Sequence, residues 1–207
     1  MEATLDAFRD AIRQAGDSRA PLRLRGGGSK DFYGQALVGT VLDTRPHAGI
    51  VDYDPAELVV TARCGTPLAE IEAALAERRQ MLAFEAPHFA APGIATLGGA
   101  VAAGLSGPRR QSVGALRDFV LGVQLMDGRG EVLHFGGQVM KNVAGYDVSR
   151  ALAGSLGVLG VICEVSLKVL PVPMARATLR FERTQATALQ SRPAALRAAV
   201  PQALQAP

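Results

Sequence analysis

Three consecutive glycines lie between charged residues in the segment Arg25-Gly26-Gly27-Gly28-Ser29-Lys30. Residues without a Cβ reach positive φ angles and bring successive backbone N–H groups together into a concave anion-binding surface. The hydroxyl of Ser29 and the cations of Arg25 and Lys30 would add charge-assisted hydrogen bonds to a phosphate. The segment therefore predicts a pyrophosphate-binding loop. Taken alone, it is equally compatible with a glycine-rich linker.

Two familiar phosphate-binding loops do not match this segment. A Walker loop needs four residues between a glycine and Gly-Lys-Ser/Thr, and the chain has no such spacing. A Rossmann fingerprint needs a small residue where Asp31 stands, followed by a helix, whereas Phe32-Tyr33-Gly34 indicates a loop. Any phosphate bound here is therefore held by a different kind of loop.

A second segment, from Ala95 to Gly107, contains almost no side-chain bulk over a dozen residues. Such residues pack poorly by themselves, so they indicate close approach by another group. Thr96 is placed to cap a following helix, and the N–H groups of residues 97–99 would then face an anionic or polar ligand. The alternative is a tight contact between two helices.

A third segment combines polar residues with a glycine-punctuated turn. It runs from Lys141-Asn142 through Gly145-Tyr146-Asp147 and Gly154 to Gly160, directly before a strand. The extended backbone there would offer hydrogen bonds to a flat heterocycle. The alternative is a capped helix followed by an ordinary strand.

The spacing of apolar residues predicts the elements that carry these segments. Helical spacing from Leu5 to Ala15 indicates an amphipathic helix that Gly16 ends. Thr66-Pro67 supplies an N-cap and a first helical residue for a helix that runs to about Arg79. Alternation from Gly160 to Leu170 predicts a strand with one apolar face and one polar face, the polar face carrying Glu164, Ser166 and Lys168.

Further strands are predicted at Leu22–Arg25, Leu58–Arg63, Phe119–Met126 and Glu131–Phe135, and a short helix is predicted at Val148–Ser155. The turn Asp127-Gly128-Arg129-Gly130 joins two of these strands as a hairpin. Strands outnumber helices, and βα units are mixed with a hairpin. The fold class is therefore α+β.

The composition excludes several classes of protein. The chain has 207 residues, 48% of them hydrophobic, and a net charge of only +3, so it is neither disordered nor marked by a basic nucleic-acid-binding stripe. Cys64 and Cys163 are too far apart for a metal or disulfide framework, and no metal spacing links the three histidines, His47, His88 and His134. No metal is expected. Charges in the first 20 residues exclude a secretory signal, so a cytoplasmic protein is expected.

The three segments, in this order, resemble the FAD-binding domain of the vanillyl-alcohol oxidase / p-cresol methylhydroxylase (PCMH-type) flavoprotein family, and within it the FAD-binding subunits of bacterial glycolate oxidases. The matching motifs are Arg-Gly-Gly-Gly-Ser after a strand, Ala-Thr-Leu-Gly-Gly, and Gly-Tyr-Asp followed by Leu-Gly-Val-Leu-Gly-Val-Ile. The resemblance covers residues 1–173. It implies two α+β subdomains that hold FAD between them.

The resemblance also implies roles for particular residues. The cofactor-binding set comprises a pyrophosphate loop, a flavin-side segment and backbone contacts on the last strand: Arg25, Gly26, Gly27, Gly28, Ser29 and Lys30; Thr96, Gly98, Gly99, Ser106 and Gly107; Gly160, Val161 and Ile162. No histidine lies in the glycine loop, so non-covalent FAD is expected. No catalytic residue is identified, because Asp118 and Asp147 are expected to be caps or ion-pair partners.

Family members continue into a cap domain, and residues 174–207 have a different composition from the rest of the chain. They are interpreted as a tail that is a remnant of, or a replacement for, that cap. The resemblance implies that the chain is an FAD-binding subunit in a complex that oxidises glycolate to glyoxylate. Its implied partners are a larger FAD-containing catalytic subunit and an iron–sulfur subunit, without nucleic acid or direct membrane insertion. Any association with a membrane would be through this complex. Two alternatives remain: a free-standing FAD-dependent dehydrogenase of the D-lactate type, and a non-catalytic assembly module.

Overall fold

The computed structural model of the chain describes residues 2–91, 93–137 and 146–175. Helices, strands and one 3₁₀ turn alternate along it. In chain order they are α1 (Glu2–Ser18), β1 (Leu22–Arg25), β2 (Thr40–Asp43), β3 (Ile50–Asp54), β4 (Val59–Arg63), α2 (Leu68–Glu77), β5 (Gln80–Leu82), α3 (Leu97–Ala103), α4 (Arg110–Val113), the 3₁₀ turn (Leu116–Phe119), β6 (Val120–Met126), β7 (Val132–Gly136), α5 (Val148–Ala151) and β8 (Val161–Pro171). Among the described residues, none of the helices has the length and hydropathy needed to span a membrane.

The larger sheet is built around β8, the longest strand. Its strands follow the order β3-β4-β8-β6-β7, with β5 paired to the far end of β8, and all of these pairs are antiparallel. Because β8 has neighbours on both edges and helices nearby, it is more buried than the alternating pattern predicts. Ser166, expected on a polar face, is buried and its hydroxyl forms a 2.8 Å hydrogen bond with that of Thr61 on β4. A buried hydroxyl needs such a partner to offset its lost hydration.

The smaller sheet is a parallel pair. Strand β1 lies beside β2 in the register Leu22↔Thr40 to Arg25↔Asp43. Helix α1 contributes Phe8 and Ile12 to a core cluster that includes Leu42 of β2. The same cluster includes Met126 of β6 and Val161 and Cys163 of β8, so it also packs against the larger sheet. The two sheets, one parallel and one antiparallel, with helices packed on them, confirm the predicted α+β class. A parallel pair needs a crossover connection, and here residues 26–39 form that connection and carry the glycine loop.

Helix α2 begins one residue later than the sequence predicts. Pro67 is its N-cap, and no side chain caps the helix there. The hydroxyl of Thr66 instead accepts a hydrogen bond from the N–H of Gly49 at 2.9 Å and donates to the Gly49 carbonyl at 3.1 Å. The expected Thr66 cap is therefore wrong, because a long-range backbone partner outcompetes the local one.

The hairpin between β6 and β7 forms as predicted. The carboxylate of Asp127 accepts hydrogen bonds from the N–H groups of Arg129 and Glu131 at 2.8 and 2.9 Å. These bonds hold the pKa of Asp127 below its ordinary value.

Helix α1 is longer than predicted. It was expected to end at Gly16, but it passes through Gly16 and ends at Ser18, with Arg19 in the left-handed region at φ 52°.

The chain divides into a compact unit, Met1–Pro171, and a second unit, Val172–Pro207. Of the second unit, only residues up to 175 are among those described. The predicted boundary at residue 173 and the character of the tail therefore stay predictions. Lys141 and Asn142, with their neighbours up to Gly145, also lie outside the described residues.

Candidate functional site

The glycine loop lines a cavity of about 510 Å³ at the end of β1. The loop contributes the largest block of the lining, and the rest comes from the end of the crossover, from α3 and from the turn before β8. The lining residues are Arg23, Leu24, Arg25, Gly26, Gly27, Gly28, Ser29, Lys30, Asp31, Tyr33, Gly34, Gln35, Leu37, Thr96, Gly99, Ala102, Ala103, Leu156 and Val158. Six predicted loop residues and two predicted residues of the second segment, Thr96 and Gly99, thus come together in one place.

The three glycines are required by the protein itself. A Cβ at Gly26 would overlap the hydroxyl of Thr96, and one at Gly27 would overlap the carbonyl of Ile94. Gly28 has φ +73°, and a Cβ there would overlap the guanidinium of Arg25. The sequence argument expected these positions to be small so that a ligand could approach. In the structure, their missing side chains let neighbouring protein atoms pack against the loop.

The backbone N–H groups of the loop are available to a ligand. Among the described residues, none accepts a hydrogen bond from the N–H groups of Gly27, Gly28 or Ser29. Successive backbone N–H groups without a protein acceptor can donate together to an oxyanion. Three such donors among the residues that line the cavity suit the diphosphate of a dinucleotide.

Three cations and one carboxylate set the charge of the cavity. The Asp31 carboxylate accepts from Arg25 Nε at 2.9 Å and lies 2.6 Å from Arg23 Nη2. Burial would raise the pKa of Asp31, but the hydrogen bonds and charges of the two arginines outweigh it and lower that pKa. The cavity therefore keeps an excess of positive charge, which favours a negatively charged ligand.

Lys30 sits at the edge of the cavity beside two aromatic rings. Its Nζ lies 6.0 Å from the ring centroid of Phe89, which forms an edge-to-face pair with Phe32 at 5.1 Å. Partial burial lowers the pKa of Lys30. This contact joins the glycine loop to the segment that precedes α3.

The N-terminus of α3 differs from the prediction in one respect. Thr96 caps the helix as expected, accepting from the N–H of Gly99 at 3.4 Å. The N–H groups of Leu97 and Gly98, however, donate to the carbonyls of Thr66 and Cys64 at 2.9 and 2.8 Å. The expectation that these amides face a ligand is wrong, because the turn before α2 already satisfies them.

The small residues of this segment serve close packing within the protein. A Cβ added to Gly98 would lie 2.7 Å from the Cβ of Cys64, and one added to Gly104 would lie 2.9 Å from Gly154. The carbonyl of Val101 accepts from the N–H of Gly154 at 3.0 Å. These contacts are with turns and not with a second helix, so they differ from the helix–helix contact that was the alternative, while Thr96 and Gly99 line the cavity.

Ser106 and Gly107 are not among the residues that line this cavity. The buried hydroxyl of Ser106 accepts from the N–H of Leu116 at 2.9 Å and donates to the carbonyl of Gly104 at 3.2 Å. Gly107 has φ +66°, and a Cβ there would lie 2.6 Å from that of Glu85. Both residues hold the turn after α3, and their contact with a flavin stays a prediction.

Gly160, Val161 and Ile162 come together with Gly98 and Gly99. These five residues line a second cavity of about 70 Å³, along with residues of β1, the turn before β8, and Cys64. Val161 and Ile162 pair with Met126 and Leu125 of β6, so the strand backbone is already part of the sheet. The cofactor contacts predicted at the start of β8 thus adjoin the glycine loop through Gly26, which lines both cavities.

The sequence argument missed Arg23, Asp31, Leu156 and Val158 in the cavity. One of these had a usable signal: Arg23 precedes Arg25 by two residues in a strand, so the two side chains lie on the same face. The turn residues Leu156 and Val158 lie within the third segment, but they were not named as site residues, because only the tertiary fold brings them to β1.

Neither cysteine has the character of a reactive thiol. Cys64 and Cys163 are both free and buried, and burial raises the pKa of each to about 12.

Within residues 2–91, 93–137 and 146–175, no three His, Cys, Asp or Glu side chains are grouped as metal ligands. Asp118 and Asp147 act as caps, accepting from the N–H groups of Ala115 and Arg150.

Comparison with known proteins identifies the family to which this geometry corresponds. A family model described as an FAD binding domain matches residues 3–136. The chain is 54% identical over 176 residues to glycolate oxidase subunit GlcE of Escherichia coli, covering 85% of this chain and 50% of that protein. It is 30% identical over 165 residues to glycolate oxidase subunit GlcD of Bacillus subtilis, covering 79% and 34% respectively.

Two further similarities are consistent with these. The chain is 30% identical over 164 residues to D-lactate dehydrogenase of Archaeoglobus fulgidus, covering 77% of this chain and 35% of that one. The fold matches a solved structure of alkyldihydroxyacetonephosphate synthase with a TM-score of 0.62 and 22% identity, over 81% of this chain and 30% of that one. The chain spans half the length of the Escherichia coli relative and about a third of the others.

Proposed function

The chain belongs to the family of FAD-binding domains, and from this premise we propose that it is the FAD-binding component of an oxidoreductase that oxidises glycolate to glyoxylate. The observation that carries the proposal is the 54% identity to a glycolate oxidase subunit across 85% of the chain.

The residues present fit FAD. The free N–H groups of Gly27, Gly28 and Ser29 would hold the diphosphate, with Arg25 and Lys30 supplying positive charge. The lining from Gly98, Gly99 and Gly160–Ile162 would hold a neighbouring part of the cofactor. When bound, FAD supplies the two-electron redox chemistry, while the protein binds and orients it. The nearest histidine along the chain, His47, is buried beside Phe8, which supports non-covalent binding.

The proposed setting is a complex. Relatives named as two different glycolate oxidase subunits, GlcE and GlcD, match the same chain. We propose that this chain works beside a larger flavin subunit that oxidises the acid, and that an iron–sulfur subunit accepts the electrons. The absence of a metal-ligand cluster among the described residues supports such a division of labour.

A second candidate is a free-standing dehydrogenase for D-lactate. The similarity to D-lactate dehydrogenase of Archaeoglobus fulgidus favours it, at 30% identity. The higher identity to GlcE makes the glycolate assignment the stronger one. Turnover of D-lactate by the isolated chain would reverse this order.

The test begins with the purified full chain incubated with FAD and desalted. Flavin absorption bands that stay with the protein and move to the supernatant after acid precipitation would establish non-covalent binding. The chain is then mixed with a GlcD-type subunit, and glycolate-dependent reduction of an artificial dye is measured. Failure to retain FAD refutes the cofactor site; retention of FAD without any effect on glycolate oxidation refutes the proposed reaction.

A further inference from the structure

Asp31 closes the glycine loop against the strand that precedes it. Its Oδ2 atom accepts from Arg25 Nε at 2.9 Å and lies 2.6 Å from Arg23 Nη2, so one oxygen bridges two guanidinium groups. Both arginines belong to β1, and Asp31 lies six residues after Arg25 on the returning side of the loop. The carboxylate therefore spans the loop at its base.

The bridge also fixes the interior of the loop. The guanidinium of Arg25 packs directly against Gly28, in the space that a Cβ at that position would fill. The N–H of Asp31 donates to the Gly28 carbonyl at 3.1 Å, and the N–H of Tyr33 donates to the Lys30 carbonyl at 2.9 Å. Asp31 thus holds the loop through its side chain and its backbone together.

A loop of three glycines needs such support. Glycine loses more conformational freedom on ordering than any other residue, so a free Gly26–Gly28 segment would sample many shapes. A diphosphate site requires the amides to point in one direction before the ligand arrives, because ordering them on binding would weaken the affinity. A carboxylate is otherwise unfavourable in an anion site, so its presence here needs a reason.

We propose that Asp31 is a positioning residue, which clamps Arg23 and Arg25 and so preorganises the glycine loop for a diphosphate. The inference rests on the proposed binding of FAD in this cavity. It assigns Asp31 no contact with the cofactor. It also explains why the position is occupied by aspartate, although an acid there repels the ligand.

The decisive variant is Asp31→Asn. The loss of negative charge and the loss of the clamp change the affinity for FAD in opposite directions. Removing a negative charge near an anion site should tighten FAD binding if charge dominates. If the clamp dominates, FAD binding weakens by about threefold to tenfold, the range expected when partly exposed ion pairs are lost. Asp31→Glu keeps the charge and should recover part of the affinity.

Asp43→Asn is the matched control. Asp43 also pairs with an arginine, Arg45, at 2.6 Å, and it lies opposite Arg25 in the β1–β2 register. It is not among the residues that line the cavity. Loss of its charge reproduces the electrostatic change near Arg25 and leaves the clamp intact, so FAD affinity should stay equal or rise slightly.

Hydrogen exchange in the full chain without FAD separates this inference from the proposed function. The amides of Asp31 and Tyr33 should exchange several-fold faster in Asp31→Asn than in the unmodified chain or in Asp43→Asn. This arm is informative even if the chain does not bind FAD. Unchanged exchange, or FAD binding that is unchanged or tighter in Asp31→Asn, would overturn the clamp. Weaker FAD binding with unchanged exchange would also overturn it, since that result indicates a direct contact.

Discussion

The carbonyl oxygen of Ile94 occupies the place that the Cβ of any larger residue at position 27 would take. The segment before α3 therefore lies directly beneath the glycine loop, and the two are shaped by each other. The consequence for function is that substitutions at Gly27 act first on the protein and only then on a ligand.

Gly27→Ala is expected to displace the loop and to destabilise the chain by about 1–3 kcal/mol, the usual effect of overpacking. FAD binding should weaken at least tenfold, because the amides lose their common direction. Urea unfolding and FAD titration measure the two effects. Gly128→Ala is the control, since a Cβ there meets no atom within 4 Å. Normal FAD affinity in Gly27→Ala would remove the loop from the site.

Gly16→Ala is expected to stabilise the chain by about 0.5–1 kcal/mol. Gly16 lies inside α1 rather than at its end, and an added Cβ there meets nothing within 4 Å. The measurement is the midpoint of thermal or urea unfolding. A loss of stability would show that α1 ends at Gly16 in solution, as the sequence alone suggested.

His47 is expected to make stability depend on pH in the acid range. Its Nε2 atom has no partner among the described residues, and burial, with the nearby Arg63 charge, lowers its pKa below the ordinary 6.5. The unfolded chain then binds a proton more readily than the folded chain, so stability falls as pH drops below about 6.5.

The measurement for His47 is the free energy of unfolding between pH 5 and 8. His47→Leu should show a flatter profile than the unmodified chain. His88→Gln is the control, because His88 is paired with Glu72 on a more exposed part of the surface. Equal slopes for His47→Leu and the unmodified chain would contradict the assignment.

The two cysteines are expected to resist a thiol reagent at pH 8 in the folded chain and to react fully after denaturation. Both pKa values are raised from 9.0 to about 12 by burial, so the folded thiols stay protonated where unfolded ones ionise. Unfolding is therefore favoured as pH rises above about 9. Fast labelling of the native chain would refute this, and comparison of Cys64→Ser with Cys163→Ser would identify the exposed thiol.

Local patterns in the sequence determined most of the elements. Strand β1, the hairpin turn at Asp127 and the Thr96 cap depend on residues within a few positions of each other, so their chemistry is visible in the chain. The ordered glycine motifs likewise identified the FAD-binding family. The sequence could not show that Thr66 bonds to Gly49, or that Ser166 is buried against Thr61, because those partners lie 17 and 105 residues apart.

Only the tertiary structure decided what the glycines and charges of the site do. The sequence suggested that positions 27 and 98 are glycine so that a ligand can approach closely. In the fold, they are glycine because Ile94 and Cys64 pack against them. In the sequence argument, Asp31 served only to exclude a Rossmann fingerprint. In the fold, its carboxylate bridges two arginines. Sequence spacing shows which backbone shapes a segment can adopt. Which atoms then fill the space around it depends on contacts between distant segments, and these exist only once the chain has folded.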